Sequence, residues 1–312
     1  MTNHPVKLCK LSIPSLALFI CFTSTLLGQI EVEPAITPPF DPESLIKNVF
    51  LGKGIEILNV EFRGDPKAVG YFSNAHNEIN IGEGLVLSTG KVFNIPTPND
   101  QEAQTSANDS NITDEELANI TTGNLIDVVT YEIEFIPLSD SLEFNYAFAS
   151  EEFPEYSCNC FNDVFGFFIQ GPNDNTWNNI ALIPGTNDPV SVRTIHPADT
   201  EGDGGGCIND GIEADCGPVN AHLYNDNTGN PYFFFDGYSN ILTAKAAVTP
   251  CETYRIKLTL ADVRDQLYDS AIFFEGKSFG SNVMDVETAT LGVDKGIVEG
   301  CTEGRINFRM AR

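Results

Sequence analysis

Between Gly54 and Glu275 the chain is built from short segments in which apolar and polar residues alternate with a period of two. Tyr131, Ile133 and Phe135 face Glu132 and Glu134, and Leu142, Phe144, Tyr146 and Phe148 face Glu143 and Asn145. Successive side chains of a strand point to opposite faces of a sheet, so this period demands half-buried strands and excludes a helical bundle. Strands are expected over 55–62, 85–89, 128–136, 142–149, 164–170, 180–183, 190–195, 232–235, 242–248, 254–262 and 271–275, with Gly, Pro, Asn and Asp in the gaps. The first of these, with Ile55 and Ile57 on one side and Leu58, Val60 and Phe62 on the other, reads as buried on both faces. A parallel α/β sheet would need a helix in most gaps. The expected fold class is therefore mainly β: an antiparallel β-sandwich or jelly-roll-like domain with one or two short helices.

The first helix is expected from Asp41 through Phe50, where Asp41 can cap, Pro42 takes the first helical position and Glu43 lies in the first turn. The second is expected to begin at Thr113, with Glu116 three residues on completing a capping box. Residues 1–28 carry Lys7 and Lys10, then an uncharged stretch from Leu11 to Leu27, the layout of a secretory signal peptide. The expected organisation is a signal peptide over 1–28, a Pro-rich lead over 29–40, one β-sandwich domain over 41–280, and over 281–312 a linker with the start of a truncated second β domain. The long loops are 96–111 and 199–217, the first polar and expected to be mobile.

Charge narrows the function classes. The chain holds 17 Lys plus Arg against 44 Asp plus Glu, a net charge of −27, and no basic cluster interrupts it. Such a surface repels phosphate backbones and anionic lipid, so nucleic acid and direct membrane insertion after signal removal are not expected. Gly84 to Lys91, GLVLSTGK, has five residues between its glycines and Val92 after its Lys, which breaks the phosphate-loop spacing and leaves a buried strand ending in a tight turn. With His76, His196 and His222 outside any recognisable catalytic context, no catalytic residue is assigned.

Two acidic bends remain. Glu151 and Glu152 end one strand and Asp163 opens the next, while Asp262, Asp265 and Asp269 occupy a second bend between apolar strands. Carboxylates there are either solvated turn formers or hard oxygen ligands, and Ca²⁺ needs six to eight oxygens, more than one loop supplies. Two such loops at one pole would suffice, so these six residues form the expected Ca²⁺ site. Export places Cys158, Cys160, Cys207, Cys216, Cys251 and Cys301 in an oxidising compartment. Cys158 and Cys160 are too close in sequence to favour each other, so bridges to Cys207 and Cys216 are expected, with the partner of Cys301 open. Zinc held by these thiols is the rival reading, disfavoured by the spacing.

The runs FASEEFPEY, FNDVFGFFIQGP, NIALIPGTNDPVSV and CETYRIKLTLADVRDQLYDSAIFFEGKSF, with LVLSTG upstream, resemble the choice-of-anchor L domain of bacterial surface proteins across about Phe40 to Phe279. The resemblance implies a secreted or cell-surface β-rich module with no enzyme activity to carry over. Asp294 to Arg312 departs from it and resembles the first strand of another extracellular β domain. The expected function is thus a non-catalytic extracellular module for adhesion or surface assembly, partnered by a surface protein or glycan and stabilised by Ca²⁺. The alternatives are a carbohydrate-binding module, with Trp177 and Tyr238 as stacking platforms, and, last, a secreted hydrolase.

Overall fold

The computed structural model describes residues 29–36, 38–100, 104–108, 110–158, 161–197 and 217–281, and the backbone of strands 284–290 and 304–310. The segment over 1–28 expected to be a signal peptide and the greater part of the loop over 199–217 lie outside the described residues.

Two antiparallel sheets face each other. The larger has eight strands: β1 (Glu31–Pro34), β3 (Val69–Ser73), β4 (Glu83–Ser88), β13 (Ser270–Glu275), β6 (Ser141–Ser150), β10 (Gly237–Ser239) and β9 (Tyr224–Asp226) in spatial order, with β11 (Leu242–Ala247) also paired to β6. The smaller runs β2 (Ile55–Arg63), β5 (Leu125–Pro137), β12 (Tyr254–Val263), β7 (Val164–Gln170) and β8 (Asn178–Asn179). A separate hairpin pairs β14 (Met284–Thr290) with β15 (Gly304–Met310).

The alternation in the sequence decides which side chains fill the space between the sheets. Phe144, Tyr146 and Phe148 of β6, Ile272 and Phe274 of β13, Phe165 and Phe167 of β7, and Leu258 and Leu260 of β12 join one buried cluster. Tyr146 meets Phe167 edge to face at 4.8 Å, a geometry that adds about 0.5–1.5 kcal/mol beyond the area buried. The residues between them on β6 and β13, Ala147, Ala149, Ala271 and Phe273, turn to the outer face of the larger sheet. There Phe233, Phe234 and Phe235 cover them as an irregular buried segment, so the expected strand over 232–235 is a cover over the sheet instead.

Other expectations are also corrected. Residues 190–195 form turns, and 180–183 contributes only an isolated bridge from Leu182 to Pro189. β2 is an edge strand, with a register shift between Ile57 and Asn59 and Leu58 46% exposed, so it is not buried on both faces. Asp41 does cap the first helix, accepting from the Ser44 amide at 2.9 Å, but α1 (Pro42–Ser44) passes at once into a π-type turn over Leu45–Phe50. α2 (His76–Ile79) was not expected, and α3 (Glu115–Ala118) is capped by Asp114, whose carboxylate accepts from the Leu117 amide at 3.1 Å, in place of Thr113.

Candidate functional site

Four core strands and β4 end together at one pole, and there the inward alternation changes from apolar to polar. On β12 the series Leu258, Leu260 continues to Asp262, and on β7 the series Phe167, Phe165 runs back to Asp163. Likewise Phe148 is followed by Ser150, Ile272 is preceded by Ser270, and Leu87 is followed by Thr89. The last layer of the core is thus built from hydroxyls and carboxylates, each 1% exposed or less.

These groups are linked. The Ser270 hydroxyl donates to Asp163 Oδ2 at 2.6 Å and lies 2.9 Å from the Ser150 hydroxyl. Asp163 Oδ1 accepts from the Val263 amide at 3.2 Å, and the Asp163 amide donates to Glu152 Oε2 at 3.0 Å. Thr89 Oγ1 accepts from the Ser270 amide at 3.0 Å, fastening the end of β4 to the start of β13. Gly90 follows, where an added Cβ would lie 1.8 Å from Asp269 Oδ2, so only glycine admits the carboxylate this close to the backbone.

The loop over 96–111, expected to be mobile, crosses this pole in its described part. Ser106 donates from its amide and hydroxyl to the two oxygens of Asp269, at 3.0 and 2.9 Å, and the Gln104 amide donates to Glu151 Oε2 at 3.1 Å. Of the six acids expected at the site, Glu151, Glu152, Asp163, Asp262 and Asp269 are buried and gathered here. Asp265 sits half-buried at the rim, accepting from the Leu267 amide at 3.0 Å. Asp127 belongs with them, although it lies inside a strand and not at an acidic bend of the sequence. A register shift opposite Leu260 and Asp262 adds a residue to β5, and Asp127, at φ 51°, is 1% exposed beside Asp262 and Asp269.

Burial of so many acids raises their proton affinity. Glu151 is pushed up to about 9, by burial first and then by Asp236 and Asp269, and Asp269 to about 7, by burial and Asp127. Glu152 and Asp262 are held well above the ordinary range by burial and by Asp163, and Asp163 by burial and Asp269. None of these five forms an ion pair among the described residues. Glu151 Oε1 and Asp262 Oδ1 are buried with no hydrogen-bond partner among the described residues. An unmet carboxylate oxygen inside a protein is costly unless a proton or a cation reaches it. Among the described residues no three His, Cys, Asp or Glu side chains are grouped so as to hold a metal ion as they stand.

Cys158 is buried and disulfide-bonded, while Cys160, Cys207, Cys216 and Cys301 lie outside the described residues, and Cys251 is free and exposed. The two aromatics expected to stack on sugars are otherwise engaged. Trp177 has Arg255 and Lys257 each 5.1 Å from its ring, and Tyr238 packs edge to face on Phe233 at 6.1 Å.

A model of the Choice-of-anchor L domain family matches residues 33–280, most of the chain. Neither the comparison with curated proteins nor that with solved structures gave a match.

Proposed function

The chain belongs to the choice-of-anchor L domain family, a kind of extracellular, surface-associated, non-enzymatic module, and from that premise we propose a domain for adhesion or surface assembly whose loop pole is fixed by Ca²⁺. No helix among the described residues is long and apolar enough to cross a membrane.

The observation that carries the calcium reading is the polar end layer of the core, where buried carboxylates meet and Glu151 Oε1 and Asp262 Oδ1 find no hydrogen-bond partner among the described residues. A hard divalent cation relieves their repulsion and ties the loop after β6 to the loop after β12. Uptake requires carboxylates to turn from Ser106 and Ser270 toward the ion, since among the described residues no three converge as they stand. Glu151, Glu152, Asp163, Asp262 and Asp269 would supply oxygens, with Asp265 and Asp127 beside them.

Thermal unfolding in millimolar Ca²⁺ against EDTA, at matched ionic strength, tests this on wild type, Asp163→Ala and Asp269→Ala. At a hundredfold excess over Kd, binding to the folded state alone adds about 2.7 kcal/mol, or roughly 5–10 °C for a domain of this size. Stabilisation of wild type and of neither variant supports one shared ion. A melting temperature indifferent to Ca²⁺ in wild type leaves the acids as buried turn residues and ends the calcium reading.

A further inference from the structure

On the outer side of the larger sheet, α2 and the loop between β9 and β10 line an open cavity of about 430 Å³, within the range of small-ligand pockets. Glu78 of α2 lines it. This carboxylate is 4% exposed, and its Oε2 has no hydrogen-bond partner among the described residues. Burial raises its proton affinity, and Oε2 is covered as the structure stands, so the carboxyl gains a partner by turning toward a donor in the cavity.

The opposite wall is set before any ligand arrives. Asn227 donates through Nδ2 to the Phe233 and Phe235 carbonyls at 2.9 and 2.6 Å, and its Oδ1 accepts from Asn230 Nδ2 at 2.8 Å. Asp226 accepts from the Thr228 amide and hydroxyl, and Asn230 Oδ1 from the Tyr232 amide. The loop is therefore pinned to the buried Phe233–Phe235 segment and holds its shape without order gained on binding. Pro231 and Tyr232 complete the lining, and Tyr232 is 47% exposed.

The lining decides the class of ligand. It contains no Lys, Arg or His, and two carboxylates, so an anion is repelled. A bare metal ion has no use for the Tyr232 ring or the Pro231 face, and Glu78 and Asp226 supply only two carboxylates. A neutral saccharide has both complements, hydroxyls to donate to a carboxylate and amides and an apolar ring face to lie on an aromatic. We propose that the cavity between α2 and the 226–232 loop binds a neutral oligosaccharide, with Glu78 accepting from sugar hydroxyls and Tyr232 stacking on a ring. The site is separate from the calcium reading and does not rest on it.

The test uses the full exported chain and isothermal titration with cello-, xylo-, manno- and chito-oligosaccharides, each in Ca²⁺ and in EDTA. At least one probe binds, and Glu78→Gln and Tyr232→Ala each weaken it tenfold or more while melting temperatures stay within a few degrees of wild type. Trp177→Ala leaves the affinity unchanged. The same loss in Ca²⁺ and in EDTA separates this site from the acidic pole. The proposal is overturned by binding that survives both cavity substitutions, by binding lost equally in Trp177→Ala, by tetramethylammonium binding where the sugars do not, or by no binding of any probe.

Discussion

Two clusters of buried charge lie on this sandwich, and they are handled in opposite ways. On the outer face of the smaller sheet Lys257, 6% exposed, places its ammonium 3.1 Å from Asp114 Oδ2 and against Glu116, while Arg63 lies 3.5 Å from the same Asp114 oxygen. Burial alone would raise the Glu116 carboxyl, but Lys257 outweighs it and holds Glu116 below the ordinary range. At the acidic pole, deeper burial meets further carboxylates in place of a cation, and Glu151, fully buried where Glu116 is half-buried, rises to about 9. The first cluster carries its own counter-charge; the second depends on protons or a cation from solution. A buried group is stabilising or destabilising according to what is removed with it.

The largest effect expected from this contrast is at Lys257. Lys257→Met leaves Asp114 buried without its nearer cation and should lower stability by about 3–5 kcal/mol, seen as a shifted urea midpoint. Asp262→Asn in EDTA at pH 8 should instead raise it by roughly 1–2 kcal/mol, because the pole no longer has to hold a proton or bear a repelling charge at this position. In millimolar Ca²⁺ the same variant should fall below wild type. If Asp262→Asn in EDTA costs as much as Lys257→Met, the pole is held by its own hydrogen bonds and the contrast fails.

The next effect concerns covalent support. The loop after β6 carries Glu151, Glu152 and the disulfide-bonded Cys158, so a covalent link closes the segment that an ion would fix. Bridges from Cys158 and Cys160 to Cys207 and Cys216 remain the expected pairing, and non-reducing peptide mapping identifies it. Cys158→Ser should cost about 2–4 kcal/mol and make melting more dependent on Ca²⁺. Free thiols at all four positions in the exported protein would defeat the pairing.

Acidity should separate the two clusters as well. Carboxyls whose folded pKa lies above the unfolded value bind more protons when folded, so their contribution is complete at low pH and is lost as pH rises. For Asp236 the loss runs from about 4 to about 6, for Asp269 to about 7 and for Glu151 to about 9. In EDTA, stability should therefore fall between pH 5 and pH 9, by about 2 kcal/mol or more, read as a falling melting temperature. Ca²⁺ should flatten that slope by replacing protons. Glu116 has the opposite sign: its lowered pKa gives stability present at neutral pH and lost only below the ordinary carboxylate range. A slope in EDTA that rises with pH would contradict the assignment of raised pKa values to the pole.

Much of this was legible in the sequence, and what was missed has physical reasons. The period of two located β5, β6, β7, β12 and β13, because long strands in the core repeat the pattern often enough to reveal it. It missed β9 and β10, of three residues each, which are too short to show a period and are fixed by pairing with each other and with β6. It read 232–235 as a strand because three phenylalanines look alike whether they pair in a sheet or cover one. Five of the six acids were found as bend residues, yet the sharper signal was the alternation carried one step further, from Leu260 to Asp262 and from Phe165 back to Asp163. Asp127 stayed hidden because the register shift that buries it breaks the period.

The smallest effect calibrates the others. Lys245 lies 2.8 Å from Glu143 on the neighbouring strands β11 and β6, with its side chain 65% exposed and that of Glu143 30%. The distance is shorter than that from Lys257 to Asp114, so distance alone would rank this pair as the stronger. Water decides otherwise: the exposed ends keep most of their hydration, salt screens their attraction, and ordering a long Lys side chain offsets part of the gain. Lys245→Gln should therefore cost no more than about 0.5 kcal/mol, measured by the same urea midpoint, although it removes one cation as Lys257→Met does. If both lysines cost alike, the effect belongs to the protein's large negative charge as a whole, and not to which charges are buried with a partner.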